Sequence, residues 1–289
     1  PLITNSSTTY NRLSNFQGYL NYNRTFNKHA VTGLLLYQQQ TNIIGAQLPF
    51  NLRGIASRLT YGFDNKYFAE LNAGYNGSEQ FAKGNRFGFF PAVSGAWVIS
   101  NENFFTDNNI VTQLKLRGSY GKVGNDRIGD RRFLYLDDVT FGGGGYSGSL
   151  GLGTRIYTNL LKNEKLQWES ARKLNVGLEI GLFNDLNLVV DVFSEKRDNV
   201  LRSRGTIPVL NGLPMTTLPP VNIGVIENKG YEIELNYKKA FTSDFSFLSR
   251  INLSYARNRQ LFADEPLLPE TYAYRYRETG YRIGQNFGY

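Results

Sequence analysis

The feature that most limits the fold of this chain is a two-residue rhythm that returns along most of its length. From Tyr231 to Tyr237, the residues Tyr231, Ile233, Leu235 and Tyr237 alternate with Glu232, Glu234 and Asn236. Successive side chains of a strand point to opposite faces, so this segment has one apolar and one charged face. Leu174, Val176, Leu178 and Ile180 repeat the rhythm against Asn175, Gly177 and Glu179. So do Leu114, Leu116 and Tyr120 against Lys115, Arg117 and Ser119, and Leu59, Tyr61 and Phe63 against Arg58, Thr60 and Asp64. Leu71, Ala73 and Tyr75 stand opposite Glu70, Asn72 and Asn76, and Phe247, Ile251, Leu253 and Tyr255 opposite Arg250 and Asn252. Weaker copies lie at residues 12–24, 29–40, 88–100 and 186–199. The pattern predicts roughly ten strands, many near the ~9–11 residues that a tilted strand needs to cross a bilayer. A slip of one residue would turn every charged face outward, so the register is strongly specified.

Alternation by itself also suits a soluble sheet with one wet face. The links between the strands separate the two cases. Short links at Asn27–Lys28, Asn65–Lys66, Asn184–Asp185 and Lys239 to Asp244, with a moderate one from Asn101 to Asn109, alternate with longer ones at 40–54, 78–87, 123–166, 200–224 and 257–280. Tight turns at one end and large loops at the other are how an outer-membrane barrel is built, and a Greek-key sandwich has no reason to alternate in this way. The fold expected is therefore all-β: an antiparallel up-and-down transmembrane β-barrel, or part of one. The same alternation puts Tyr37, Tyr75, Tyr120 and Tyr255 near the loop ends of the apolar face and Tyr22, Phe63 and Tyr237 near the turn ends, as two interfacial aromatic girdles require.

Composition agrees and excludes several chemistries. Thirty glycines and 39 tyrosines plus phenylalanines, with a single Met, favour strands over helices. No Cys is present and His29 is the only histidine, which removes thiolate and His-rich metal sites. The net charge of +8 is dispersed, without the basic run of a nucleic-acid binder. No apolar stretch approaches the ~18 residues of a membrane helix, and the opening PLITNSSTTY lacks the basic and apolar regions of a signal peptide.

The remaining candidates for chemistry have plain readings beside them. The glycine-rich run 142–153 lacks the G-K-[ST] ending of a phosphate loop and reads as a flexible loop. Glu70, Glu179, Asp191, Glu195, Glu232 and Glu234 could suggest the paired acids of a glycosidase, but they sit on polar strand faces, the wet side of such a wall. A serine triad would need His29, which adjoins a tight turn. No catalytic residue, cofactor site or metal site is expected. Tyr272, Tyr274 and Tyr276 interleave with Arg275 and Arg277; aromatic faces stack on sugar rings and Arg binds carboxylates, while the plain reading is a strand extension. Tyr146, Tyr157, Leu210, Leu213, Met215 and Leu218 add apolar groups to the long links. Such groups are costly to leave together in water, so Tyr146, Tyr157, Leu213, Met215, Tyr272, Tyr274, Arg275 and Tyr276 are the candidates for binding a ligand or partner.

Five segments, in order, resemble the barrel of SusC/RagA-type TonB-dependent receptors of Bacteroidetes: FFPAVSGAWVISNENFF at Phe89–Phe105, LKLRGSYGKVGN at Leu114–Asn125, LKNEKLQWESARKLNVGLEIGLF at Leu161–Phe183, NKGYEIELNY at Asn228–Tyr237 preceded by Asn222, Gly224 and Ile226, and the closing GYRIGQNFGY. The resemblance implies that residues 1–289 are part of one barrel of about twenty-two strands, with the plug, the TonB box and the closing strands lying outside this chain. It further implies an importer in the outer membrane of a Gram-negative cell, embedded in outer-membrane lipid, that takes up an oligosaccharide or peptide with a SusD-like surface lipoprotein and draws energy through TonB. A diffusion porin and a soluble all-β binding module remain the alternatives.

Overall fold

The computed structural model describes residues 10–45, 48–105, 109–127, 132–141, 156–207, 212 and 214–286. Twelve strands run in chain order: β1 (Asn11–Phe26), β2 (His29–Ile44), β3 (Phe50–Phe63), β4 (Tyr67–Ser78), β5 (Phe87–Val98), β6 (Val111–Asn125), β7 (Asp138–Phe141), β8 (Ile156–Leu160), β9 (Glu169–Leu182), β10 (Leu186–Arg202), β11 (Val221–Ala240) and β12 (Ser246–Phe262). Ten of them form one sheet in the order β1-β2-β3-β4-β5-β6-β9-β10-β11-β12, and every neighbouring pair is antiparallel. The sheet is thus a meander in which each strand pairs with its neighbours in sequence. The one interruption is the hairpin β7–β8, folded from within the long link between β6 and β9.

The alternating pattern sets the register. Leu59 faces Leu71, which faces Val93, then Tyr120 and Leu174, all on the apolar side. Val190, Ile233 and Leu253 make a similar row farther along. On the other side Arg117, Gly177, Asp191 and Glu232 lie in one row. Short turns close the strands at one end with residues in the left-handed region, Asn27 at φ 53°, Asp64 at φ 52°, Asn65 at φ 53° and Asn184 at φ 61°. Asn and Asp tolerate that conformation because their short polar side chains bond locally, which is why they populate tight hairpins.

The strands are longer than the bilayer alone requires. Those of the ten-stranded sheet run from 12 residues in β4 and β5 to 20 in β11, against the ~9–11 expected for a crossing. Pairing continues beyond the lipid band because the ladder satisfies backbone groups in water as well as in hydrocarbon. The expected link at 40–54 therefore narrows to residues 45–49. Residues 272–276 also depart from the strand extension considered above. Glu270–Ala273 is a short helical turn, α1, which Tyr276 continues through an N–H donated to Ala273. Pro269 begins it, fixing φ at the start and giving up only an amide that has no helical partner there.

Apolar burial within the chain is concentrated at the loop end. Phe81, Leu134, Leu160 and Leu166 form a buried cluster with Trp168 and Leu201 packed on it. In the middle of the sheet, by contrast, Leu59, Leu71, Val192 and Ile251 are 50%, 56%, 58% and 58% exposed. No helix among the described residues is long and apolar enough to cross a membrane, which says nothing of crossing by strands.

Candidate binding surfaces

Three surfaces carry the functional candidates: the charged face of the sheet, the loop end and the short-turn end. On the charged face Glu70, Glu179, Asp191, Glu195 and Glu234 are tied to bases on other strands. Glu179 accepts from Lys115 at 3.2 Å and from Arg117 at 2.9 Å, and Arg117 also reaches Asp191 at 2.8 Å. Arg117 on β6 and Asp191 on β10 are separated by β9, so the pair must pass over Gly177. A Cβ there would come within 2.6 Å of Asp191 Oδ1 and 2.7 Å of Arg117 Cζ, which makes glycine a steric requirement of the bridge. Arg58 lies 3.6 Å from Glu70, Lys173 3.2 Å from Glu195, and Arg250 3.8 Å from Glu234. These carboxylates are ladder members, each facing a cation, rather than an acid–base couple flanking a gap. His29 bonds through Nδ1 to the Tyr61 hydroxyl at 2.7 Å, and both lie on the apolar face, away from any of these acids. Among the described residues no group of three or more His, Cys, Asp or Glu could hold a metal ion.

At the loop end the links are knitted together. Asn163 donates its side-chain amide to Pro220 O at 2.8 Å and its backbone N–H to Leu134 O at 2.8 Å. Trp168 donates its indole N–H to Arg86 O at 2.9 Å and packs against Phe81 and Phe90, with ring centroids 5.3 and 5.2 Å away. Glu169, 8% exposed, accepts from Asn125 at 2.9 Å and from the backbone N–H of Leu201 at 3.0 Å. Asn222 bridges Gln167 and Asn199, with all three bonds between 2.9 and 3.0 Å. A second knot gathers on Asp264, which accepts from Gly205 N at 3.0 Å, from the Thr206 hydroxyl at 2.9 Å and from Arg204 at 3.2 Å. Partial burial works to raise the Asp264 pKa, but the bonds from Thr206, Gly205 and Arg204 outweigh it and hold the carboxyl below the ordinary aspartate value.

The candidates in the loops divide into two groups. Tyr157 is half exposed in β8, and the end of that strand is joined to the turn at Met215 by the Leu161 N–H donated to Thr217 O at 2.9 Å. Tyr272, Tyr274, Arg275 and Tyr276 are gathered in and after α1, beyond β12. There Arg275 lies over the Tyr272 and Tyr274 rings at 5.4 and 5.7 Å and donates to the Tyr274 hydroxyl at 3.1 Å. Beside them a recess of about 350 Å³ is lined by Asp264, Leu267, Tyr276 and Arg277 among others, mixing apolar surface with both signs of charge. Tyr146 and Leu213, like the glycine-rich run, lie outside the described residues.

At the short-turn end, Glu102 accepts from Trp97 at 3.0 Å, from Lys66 at 3.3 Å and from the Tyr67 hydroxyl. These bonds, the Tyr67 one foremost, hold its pKa below the ordinary glutamate value. Asn101 donates to Asn65 O at 2.8 Å. Phe63 stacks on Tyr67 and Tyr67 on Trp97, at 6.5 and 6.4 Å, an aromatic row just above the turns.

A ten-stranded meander with one apolar face, one charged face, tight turns at one end and knitted loops at the other is the wall of a barrel rather than a sandwich. Residues 2–287 match the family described as TonB dependent receptor-like, beta-barrel. The chain belongs to this family.

Among curated relatives it is 34% identical over 211 residues to the TonB-dependent receptor SusC of Bacteroides thetaiotaomicron, covering 70% of this chain and 20% of that protein. It is 29% identical over 284 residues to a TonB-dependent receptor of Formosa agariphila, covering 88% of this chain and 27% of the relative. The chain thus spans between a fifth and about a quarter of the length of these relatives. In fold it superposes on the RagAB peptide importer in its closed-closed state with a TM-score of 0.77 at 22% identity, over 94% of this chain and 33% of that one. It also superposes on the outer membrane transporter YddB of Escherichia coli with a TM-score of 0.62 at 9% identity, over 89% and 35%. As part of an outer-membrane barrel wall of this family, the sheet turns its apolar face to lipid and its charged face inward. The segments that carry the family resemblance acquire physical roles here. Asn163, Leu166, Trp168 and Glu169 lock the loop end, Asn125 and Asn222 brace it, and Trp97 with Glu102 locks the turn end. Phe81, the most buried partner of Trp168, has no signal of its own in the sequence beyond its hydrophobicity.

Proposed function

We propose that this chain is part of the wall of a TonB-dependent importer that carries an oligomeric nutrient, an oligosaccharide or a peptide, across the outer membrane. The observation that carries the reading is the pairing of a lipid-facing apolar surface with a charged inner ladder from Arg58 to Arg250, which makes a hydrophilic passage wall. The names of the relatives, a TonB-dependent receptor and a peptide importer, support the direction of transport. In the whole protein about twenty-two strands would close the barrel, with this chain supplying ten of them and removing the free edges of β1 and β12, since unpaired edges are not tolerated in hydrocarbon. A plug and a TonB-contacting segment would come from the part beyond this chain.

The loop end is the docking side for a SusD-like surface lipoprotein, with ligand held between the two. Tyr157, Met215 and the Tyr272–Tyr276 turn are exposed there, and Leu160 of the strand that carries Tyr157 is anchored in the buried cluster, which suits a surface that meets a partner without unfolding. The test is uptake of defined oligosaccharides and peptides by cells carrying the full-length receptor, with and without TonB. Energy-dependent uptake that disappears without TonB supports the reading; passive, size-limited permeation unaffected by TonB would assign the barrel to diffusion porins. For the partner, Met215→Asp combined with Tyr272→Asp is expected to reduce co-purification of a surface lipoprotein from native membranes, and undiminished recovery with normal uptake would remove these residues from the docking surface.

A further inference from the structure

The lipid-facing surface is uneven at one place. Across β4, β5 and β6 one row of outward positions reads Ala69, Gly95, Gly118 and then meets Val176 on β9. The row nearer the short turns reads Tyr67, Trp97, Leu116, and the row nearer the loops reads Leu71, Val93, Tyr120. Large side chains therefore stand on both sides of a floor that has almost none. The result is an open groove of about 420 Å³, walled by Tyr67, Trp97, Leu116 and Val176 and floored by Gly95 and Gly118.

Among the described residues nothing requires those two glycines. A Cβ at Gly95 would come no closer than 3.6 Å, to Phe68 O, and one at Gly118 no closer than 3.7 Å, to Asn175 O, both ordinary contacts. Neither backbone is left-handed. Gly177 and Gly230 are different, because a Cβ would come within 2.6 Å of Asp191 Oδ1 and 2.2 Å of Tyr255 O respectively. An open position in a strand favours a β-branched or aromatic residue, and interior glycine weakens the strand. Interior strand glycine commonly marks a bulge, a bend or the close approach of another molecule, and neither a register shift nor a positive φ is present at Gly95 or Gly118.

The surroundings identify that molecule. The groove lies beside the stacked Tyr67 and Trp97 rings, whose polar atoms both turn to Glu102, so it sits in the hydrocarbon band next to the water–lipid boundary of the short-turn end. At the turns of that end, Lys28 lies 3.0 Å from Asp64, Lys66 3.9 Å from Asp64 and 3.3 Å from Glu102. Two cations and two carboxylates match the phosphate and ammonium of a phospholipid headgroup. The walls keep a broad protein face away from the glycine floor, whereas a single flexible chain can lie along it. We infer that the groove holds one acyl chain of a phospholipid from the leaflet on the short-turn side, with its headgroup over Lys28, Asp64, Lys66 and Glu102.

This inference needs only the lipid-facing orientation of the sheet and is independent of what the receptor imports. The test uses the full-length receptor, exchanged into detergent, supplied with phosphatidylethanolamine or phosphatidylglycerol and examined by native mass spectrometry. The wild type is expected to keep one phospholipid through detergent exchange, with phosphatidylethanolamine kept better than phosphatidylglycerol. Gly118→Leu, which fills the floor, is expected to lower retention several-fold, and Gly118→Ala to lower it less; the alanine variant carries the test if leucine prevents folding. Ile251→Phe, at an exposed outward position of β12 far from the groove, is the control and is expected to change nothing. Equal retention in all four proteins would overturn the inference. So would unchanged retention together with a changed oligomeric state, which would give the groove to a second copy of the receptor.

Discussion

The middle of the sheet and its loop end solve the same problem, covering apolar side chains, in opposite ways. In the middle, Leu71, Val192 and Ile251 remain more than half exposed to the surroundings of the chain, because hydrocarbon rather than protein covers them. At the loop end the chain has left the lipid, and there Phe81 and Leu166 are fully buried against each other's neighbours as in a water-soluble domain. The difference shows that the solvent on the apolar face decides where this fold needs a core. A barrel wall needs none within the membrane, but each loop that rises into water must build its own.

The comparison is broken most sharply at Phe81. If the loop end is a true core, Phe81→Ala should cost about 3–5 kcal/mol of local stability through the cavity it leaves beside Trp168. Proteolysis and hydrogen exchange of links 79–86 and 161–168 should then rise while the strands stay protected. Unchanged protection of those links would mean that the loops are held by their hydrogen bonds alone.

In the membrane band the sensitive change is a charge rather than a cavity. Leu235→Arg, on the lipid side between Leu188 and Ile251, should cost roughly 2–4 kcal/mol if it lies near the midplane. Glu234→Gln, one residue away on the charged face, should cost under about 0.5 kcal/mol, because its partner Arg250 is long and solvated. Folding of the full receptor into bilayers measures both. Similar effects, or a larger one at Glu234, would reverse the two faces.

The smallest expected effect depends on pH and sharpens the loop side. Asp264 is held below its ordinary pKa in the folded state, so its contribution is complete above the unfolded value and is lost as pH falls through the folded one. The link 203–206 should therefore stay anchored at neutral and mildly acidic pH and loosen only below the usual aspartate range. Asp264→Asn should remove that acid dependence. Loosening of this segment in mild acid, seen by limited proteolysis in the wild type, would show that another group controls it.

Much of the wall was legible in the sequence because its determinants are local. A strand between lipid and water must alternate, and Tyr231 to Tyr237 or Leu174 to Ile180 display that alternation without any knowledge of their neighbours. The same local signals, Asn27, Asn65 and Asn184 in tight turns, placed the short links and oriented the strands. The loop end was not legible in the same way. Its apolar and aromatic residues could be picked out, but not which of them would be buried and which displayed. Leu134, Leu160 and Leu166 went inside, Tyr157 and Tyr272 stayed out, and residues 272–276 followed a helical turn in place of a strand extension.

Faces, strand order and register are thus what the sequence by itself determined, since alternation between two solvents and pairing with the next strand need no information from elsewhere in the chain. Only the tertiary structure decided the roles of Trp168, Glu169, Asn222 and Glu102. Their partners Arg86, Asn125, Gln167 and Lys66 lie between 36 and 82 residues away, and a buried polar group takes its meaning from the partner that satisfies it. The bare floor at Gly95 and Gly118 belongs to the same class. Two glycines 23 positions apart in the sequence become one groove because β5 and β6 pair in the register that sets them side by side.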